Sequence, residues 1–444
     1  MAVTPEVRRA CAILDRVFHD RDHIQPLTAA LPRGAAGTAR VTDITYGVAR
    51  WALYLDAVVA RLSTRPLEAL ERQVVLVLRI ALYQLIFNPR RPDYAVVDEA
   101  CDLAKELGKE HSARFVNAIL RTYLRNPGIK NEVGLYGDLD ERLAACHSHP
   151  RFLVRRWLDR LGHRRAEAVL RADQEVPKPD LLTDLRRVSR EDLAERLLSA
   201  GVTTRPSPLS PAGLVVEQGH PLEVAPDLRR LFYIEDAGCQ AFAWLFSRFG
   251  GGRLWDAAAA PGGKTLALSR FHRYAVHVAG DLFPTRLAKM KRNLDAFGTT
   301  AVAAAVDARQ PAFRPAFFDR ILLDAPCSGT GVLRKNPEAR WRLEEGTFAA
   351  CAARQGELLE AVLPFLAPGG YLLYMTCSLE PEENEGVVEA LVASHPELEA
   401  VRRDRRVPEE MVPHQEKSGF FRLFPSAETD GFTGVILHKT AGSR

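Results

Sequence analysis

"LLDAPCSGTG", residues 322–331, is an apolar stretch that stops at an acid, Asp324, then turns through proline, serine and glycine with a thiol, Cys327, inside the turn. The same grammar recurs on both sides of it. "GRLWDAAAA" stops at Asp256 and runs into "APGGKT", "YAVHVAGDL" stops at Asp281, "TAVAAAVDAR" at Asp307 and "GGYLLYMTCSL" at Cys377, with helical stretches such as "PTRLAKMKRNLDAFG" between them. Short apolar strands alternating with helices predict a parallel sheet covered on both faces, with ligands bound at the strand carboxyl ends. A lone acid at a strand end is ordinarily a helix cap. A series of polar, acidic and thiol-bearing ends predicts a site.

Outward from this core the pattern changes. Towards the C-terminus, "GFFRLF", "SAETDG" and "FTGVILHK" read as an antiparallel hairpin added at the sheet's edge. Upstream, from Leu181, a small α+β module is expected. Its helix "SREDLAERLLSAG" has Ser189 placed as N-cap, Asp192 three residues on to complete a capping box, and Gly201 to stop it. "EVPKPD" is a stiff connector, and "HPRFLVRRWLDRLG" is a basic amphipathic helix. From Pro5 to about Asn126 nearly everything has helical period: Leu67, Leu70, Val74, Leu78, Leu82 and Leu85 recur at three- and four-residue steps, the stripe that a bundle helix buries. "DYAVVDEACDLAKELG" repeats the pattern and closes on Gly108 as a C-cap. The expected class is multidomain: an all-α N-terminal bundle over 1–135, linker helices and a small α+β module over 136–237, and a Rossmann-like α/β domain over 238–444.

The totals agree with this division. A chain of 444 residues exceeds one ordinary core. Its 60 Lys+Arg against 56 Asp+Glu leave a formal charge of only +4, so a nucleic-acid face has to come from local clusters. "HPRFLVRRWLDRLGHRR", "NPRRPD" and "VRRDRRVP" are the candidates. Seven scattered cysteines do not make the dense framework of a secreted domain, and the first residues lack the apolar core of a signal peptide. A reducing, cytoplasmic setting is expected. "VVLVLRIALYQLIF" is interrupted by Arg79 and Gln84 and falls short of the roughly 18 apolar residues of a membrane span, so no membrane partner is expected.

Two chemistries compete for "APGGKT". With the residues before it, the stretch nearly matches the phosphate loop G-x-x-x-x-G-K-[ST], but the first glycine would fall at Ala258, where backbone amides must wrap phosphate in conformations a Cβ opposes. A nucleotide hydrolase is the weaker reading. A Gly-Gly turn equally admits a neutral or zwitterionic ligand. Asp281 then stands where an acid accepts both ribose hydroxyls, and Asp307 where one can accept from an adenine amino group.

Cys327 and Cys377 both follow the last apolar residue of a strand and enter a polar turn, whereas a structural cysteine is ordinarily buried. Neither has a CxxC partner or a nearby His/Cys cluster, so no metal is expected. A thiolate adding to carbon 6 of a pyrimidine converts carbon 5 into an enamine-like nucleophile that takes a methyl group from a sulfonium. Asp324 is the candidate to supply a proton or hydrogen bond at N3, and the second thiol can assist product release. Residue types alone do not say which thiol attacks.

"DAAAAPGGKT", "LLDAPCSGTG" with "RKNPEARW", "LLYMTCSLEPEENEGVV" and "DGFTGVIL" resemble the motifs of the Sun/Fmu (RsmB) family of S-adenosylmethionine-dependent RNA cytosine-5 methyltransferases. "ERQVVLVLRIALYQLIF" with "PDYAVVDEACDLAKELGKEHSARFVNAILRTYLR" is similar to the NusB-like RNA-binding domain that heads the bacterial small-subunit rRNA members. The resemblance implies a class I methyltransferase domain in which Ala258, Ala259, Ala260, Pro261, Gly262, Gly263 and Lys264 cradle the methionine part of S-adenosylmethionine. Asp281 would hold the ribose, Asp307 would lie near adenine, and Asp324 would face the methyl group and the base. It further implies Cys377 as nucleophile, Cys327 as the thiol that helps release product, and a monomer acting on small-subunit rRNA not yet assembled. The rival from another class is a non-catalytic, antitermination-like RNA-binding factor built on the same fold.

Overall fold

Helical periodicity dominates the first third of the chain, and in the computed structural model, which describes residues 2–32, 37–89, 91–135 and 137–441, that third is helical. The chain divides into two units, Met1–Val176 with Leu333–Glu344, and Pro177–Val332 with Glu345–Arg444.

In the first unit α1 (Pro5–His19), α2 (Ile24–Ala29), α3 (Thr38–Leu62), α4 (Arg72–Phe87), α5 (Asp93–Glu106) and α6 (Glu110–Arg125) close around one apolar core that includes Leu14, Leu55, Leu78 and Leu120. The stripe from Leu67 is not one continuous helix. Leu67–Ala69 is a short 3-10 turn and Glu71 is extended, so α4 begins at Arg72; Leu67 and Leu70 still pack on the core from outside the helix. The polar interruptions of α4 are satisfied internally: Arg79 pairs with Asp56 at 2.6 Å, and Gln84 accepts from Arg40 at 3.0 Å. Among the described residues no helix is long and apolar enough to cross a membrane. Gly108 takes φ +74°, as a helix-ending glycine does.

Three further helices follow, α7 (Leu139–Cys146), α8 (Arg151–Leu161) and α9 (His163–Ala172). The segment Leu333–Glu344, which contains all of "RKNPEARW", belongs to this unit. Its Arg340 is fully buried and donates to the carbonyls of Ser148 at 2.8 Å and Arg50 at 3.3 Å, while Trp341 donates to Ala49 O at 2.8 Å. A buried guanidinium is tolerated only where its N–H groups find acceptors. Backbone carbonyls provide them here for Nη1 and Nη2.

The second unit holds two sheets. The smaller is antiparallel, in the order β2 (Thr203–Pro206), β3 (Gly213–Gln218), β1 (Asp180–Thr183), β4 (Phe232–Ile234). It carries α10 (Arg190–Ser199) and the short α11 (Pro226–Arg229). Ser189 caps α10, its hydroxyl accepting from Asp192 N–H at 3.0 Å, and Gly201 takes φ +79°.

The larger sheet is built from β5 (Arg253–Asp256), β6 (Val276–Asp281), β7 (Val302–Ala305), β8 (Phe318–Asp324), β9 (Leu366–Thr376), β10 (Leu398–Ala400), β11 (Phe421–Leu423) and β12 (Phe432–Lys439). Its order is β10-β12-β9-β8-β5-β6-β7, with β11 paired to β12. Strands β5 to β9 pair in parallel; β12 joins β9 antiparallel. The hairpin of β11 and β12 therefore stands at the sheet's edge, where β12 shares its outer side between β11, at Phe432–Gly434, and the three-residue β10, at Leu437–Lys439.

Alternate residues fill opposite faces, as the two-residue period of a strand requires. Leu373 and Met375 point into the core shared with α12 (Ala237–Ser247) and α13 (Gly263–Phe271). Leu372 and Tyr374 point into the core shared with α15 (Thr347–Val362) and α16 (Glu385–Ser394). The remaining helix, α14 (Pro284–Ala296), packs Met290 and Leu294 against Leu266 and Ala279. The chain runs outward from β5 to β7, then returns to β8 on the other side of β5. That reversal opens a crevice at the carboxyl ends.

Candidate active site

The strands β5, β6 and β8 all end on aspartate, at Asp256, Asp281 and Asp324, and β9 ends at Thr376, immediately before Cys377. Over these ends lies a cavity of about 820 Å³, within the range of small-molecule and cofactor sites. Ala258, Ala260, Asp281, Asp307, Asp324, Cys327 and Cys377 all line it, so residues spread over 120 positions of sequence meet at one place. Ala259, Pro261, Gly262, Gly263 and Lys264 do not line it.

Those five build the turn beneath the wall. Gly262 takes φ +101°, and a Cβ on it would lie 3.1 Å from Met290 Cγ, while a Cβ on Gly263 would overlap the Glu235 carboxylate. Lys264 Nζ pairs with Asp324 Oδ2 at 2.6 Å. Burial alone would pull this ammonium down, but Asp324, Cys239 and Glu235 outweigh it and hold it well above its ordinary value. A lysine committed to an aspartate, with a second acid packed against the Gly-Gly turn, is the opposite of a phosphate cradle. The near match to a phosphate loop does not carry over into geometry.

The acids around these ends have different environments, and β7 stops at Ala305, two residues short of Asp307, which stands in the turn that follows rather than at the strand's end. Asp256 is buried and accepts from Thr265 Oγ1 at 2.6 Å; burial pushes its carboxyl from 3.8 up to about 7. Asp281, also buried, faces the cavity, accepts from Phe283 N–H at 3.0 Å and lies 3.3 Å from the Arg286 guanidinium. Leu282 and Phe283 beside it are 45% and 52% exposed, an apolar lip next to a carboxylate. Asp307 is gripped by Arg309, through Nη2 at 2.8 Å and Nε at 3.1 Å, and that side-chain hydrogen bonding holds its carboxyl below the ordinary value. A nucleoside fits this end: a carboxylate for hydroxyls and an apolar lip for a ring.

At the other end the two thiols meet, Cys327 Sγ to Cys377 Sγ at 3.2 Å. The parallel ladder of β8 and β9, in which Asp324 stands opposite Met375, brings the two strand ends side by side, and the sulfurs lie just beyond it. Contact with Cys377, then burial, then the charges of Glu383 and Asp324 hold the Cys327 thiol well above its ordinary value. Of the other five cysteines, Cys11 and Cys239 are buried and Cys101, Cys146 and Cys351 are half-buried.

Sequence reasoning missed the residues that support this pair. Glu383, Ser378, Asn384, Thr330 and Gln355 are all fully buried polar side chains around the two turns. Thr376 Oγ1 donates to Asn384 Oδ1 at 2.7 Å, Asn384 Nδ2 donates to Glu380 O at 2.7 Å, and Leu379 N–H donates to Thr330 Oγ1 at 2.9 Å. The signal was present in "EPEENEG", but a run of acids reads as a solvated face.

The basic clusters have partly internal roles. Arg151 and Arg155 of α8 both bind Asp140, at 2.9 and 2.8 Å, Arg91 pairs with Glu99, and Arg406 pairs with Asp404 at 2.7 Å. Arg90 of "NPRRPD" lies outside the described residues. No group of three or more potential metal-ligating side chains occurs among the described residues.

Comparisons with known proteins agree with this architecture. Residues 248–437 match the family described as 16S rRNA methyltransferase RsmB/F, residues 11–125 the NusB family, and residues 149–223 the RsmF/B-like ferredoxin-like domain. The chain is 34% identical to ribosomal RNA small subunit methyltransferase B of Pseudomonas syringae pv. tomato, over 79% of this chain and 78% of the relative. It is 35% identical to the protein of the same name from Pseudomonas putida, over 80% of each. It is also 29% identical to the probable ribosomal RNA small subunit methyltransferase B of Bacillus subtilis, over 90% of each. A crystal structure of a methyltransferase homolog protein from Pyrococcus horikoshii superposes with TM-score 0.57 and 25% identity, covering 68% of this chain and all of its own.

Proposed function

Because the chain belongs to the RsmB/F family of methyltransferases, we propose that it methylates carbon 5 of a cytosine in small-subunit rRNA through a transient bond between Cys377 and carbon 6. The observation that carries this reading is the thiol pair at 3.2 Å, opening into the same cavity as Asp281 and Asp324. The family's cofactor, S-adenosylmethionine, supplies an electrophilic methyl group when bound. Asp281 accepts from the ribose, the Leu282–Phe283 lip and Asp307 border the adenine, and Ala258 and Ala260 bound the methionine end of the cavity. Ala259, Pro261, Gly262, Gly263 and Lys264 act from beneath, by shaping the turn.

Cys377 attacks carbon 6 as thiolate, and electron density moves to carbon 5, which takes the methyl group. Asp324, a carboxylate held at the strand end by Lys264, accepts from the N3–H that forms when the ring takes a proton from water as charge develops. Water then takes the carbon 5 proton, that C–H electron pair re-forms the C5–C6 double bond, and the C6–S bond breaks with its pair leaving on the Cys377 sulfur, which restores the aromatic ring. Cys327, 3.2 Å from Cys377, is placed to protonate the departing sulfur, and the assignment of Cys377 as the attacking member rests on the family resemblance. A base must leave its stack to reach these sulfurs, so the substrate we infer is rRNA before assembly, met in the cytoplasm by a monomer whose NusB-like unit docks RNA. An antitermination-like factor without catalysis would have no use for the aligned thiols.

Cys327→Ala tests the assignment. With RNA and S-adenosylmethionine the variant is expected to trap a covalent protein–RNA adduct, visible as a shifted band on a denaturing gel, because addition proceeds and elimination stalls. No shifted band from a variant that binds both substrates, while the wild type transfers tritiated methyl groups, overturns the division of roles.

A further inference from the structure

Glu383 lies in "EPEENEG", where four acids in seven residues suggest a solvated run, yet its side chain is fully buried. Its carboxylate reaches both thiol-bearing turns. Oε2 accepts from the Ser328 N–H at 2.8 Å and from Gln355 Nε2 at 3.0 Å. Oε1 accepts from Ser378 Oγ at 2.7 Å and from Ser328 Oγ. Ser328 directly follows Cys327 and Ser378 directly follows Cys377, and the two hydroxyls lie 3.2 Å apart, matching the 3.2 Å between the sulfurs. Gln355, one of the four donors, also donates to Pro326 O at 3.0 Å, just before Cys327. A buried carboxylate is costly unless its acceptor positions are filled; here four donors fill them, and two of the four belong to Ser328.

The ladder between β8 and β9 does not explain this arrangement. Ala325 N–H still bonds Met375 O at 2.9 Å, but the strands end at Asp324 and Thr376, so the residues that carry sulfur lie beyond it. Past that point Gly331 N–H still bonds Cys377 O and Leu379 N–H bonds Thr330 Oγ1, each at 2.9 Å, but both hold the first turn three or four residues beyond Cys327, so a short thiol–thiol separation needs a nearer constraint. Glu383 supplies it one residue beyond each sulfur. Resting on the thiol roles proposed above, we infer that Glu383 is a positioning residue, which sets Cys327 against Cys377 for addition and release without touching the base or the methyl donor.

The test reads sulfur geometry and turnover separately. The full-length reduced protein is treated with diamide, which removes two hydrogens from a thiol pair and is itself reduced to the hydrazine. Closure of the Cys327–Cys377 disulfide is followed by peptide mass spectrometry, and methyl transfer is measured on untreated samples. Glu383→Ala is expected to slow disulfide closure by about tenfold or more and to lower kcat about 100-fold, the loss expected when a reacting group drifts by about 1 Å. KM for S-adenosylmethionine, which depends on the β6 and β7 ends, should stay near wild type. Glu383→Gln is expected to rescue both readouts, since its carbonyl can accept from the Ser328 N–H while its amide donates to the two hydroxyls. Ser328→Ala removes one hydroxyl only and should move both readouts in the same direction by less, which keeps the test decisive if Glu383→Ala does not fold. Disulfide closure at the wild-type rate in Glu383→Ala or Ser328→Ala overturns the inference, as does slowed closure with unchanged kcat. A wild type that transfers no methyl group to RNA sinks the proposed reaction instead, and the disulfide rates still decide the clamp.

Discussion

At the β6–β7 end of the cavity each acid finds its partner close by in sequence: Asp281 accepts from an N–H two residues on, and Asp307 from Arg309, also two residues on. At the β8–β9 end the partners are far apart. Cys327 and Cys377 are separated by 50 residues, Ser328 and Glu383 by 55, Gln355 and Glu383 by 28. One end is assembled by turns and the other by the fold. Substitutions at the first should have graded, separable effects, whereas groups that act as one network lose function together.

Three experiments would sharpen or break that contrast. The largest effect is expected at the thiol end: Cys377→Ala should abolish methyl transfer while S-adenosylmethionine binding, measured by equilibrium titration, is retained. Comparable turnover in that variant would remove the nucleophile from the scheme and the contrast with it.

Next comes the acid at the seam between the halves. Asp256 is buried and held at about 7 against an ordinary 3.8, so between pH 4 and pH 7 the unfolded chain carries the negative charge more readily than the native state does. Stability is therefore highest when the group is protonated in both states and falls as pH rises through that window. A displacement of roughly three pH units corresponds to a penalty on the order of 4 kcal/mol above pH 7. Asp256→Asn, which can still accept from Thr265, should be more stable than wild type above pH 7 and lose that advantage below pH 4. Denaturant unfolding across the pH range measures it; a difference independent of pH would contradict the burial argument.

The smallest effect is expected at the nucleoside end. Asp281→Ala removes a carboxylate that accepts hydrogen bonds and should weaken S-adenosylmethionine binding by about 10-fold to 100-fold, the worth of one charge-assisted hydrogen bond of roughly 1.5–3 kcal/mol, with kcat at saturation little changed. If kcat collapses as it does in Cys377→Ala, the two ends are not separable.

Local signals were legible because their physics is local. Ser189 caps α10, Gly108 and Gly201 end helices in left-handed conformations, and aspartates close the apolar strands β5, β6 and β8. The start of α4 and the strand β10 were not legible, because an apolar spacing at Leu67 and Leu70 fits a 3-10 turn followed by an extended residue as well as a helix, and three residues show no period. Lys264, which the family resemblance puts in the cofactor cradle, has a partner in Asp324 at 2.6 Å that no local signal announces.

By itself the chain order of strands, helices and their terminal residues determined the class of fold, the crevice at the carboxyl ends and the residue types gathered there, since periodicity and turn chemistry act over a few residues. Only the tertiary structure decided that Glu383 is buried between two cysteine turns, that Asp256, Asp281 and Asp324 have different environments, and that Leu333–Glu344 folds with the helical unit. Desolvation and long-range hydrogen bonding set those outcomes, and both depend on which distant segments pack against a residue.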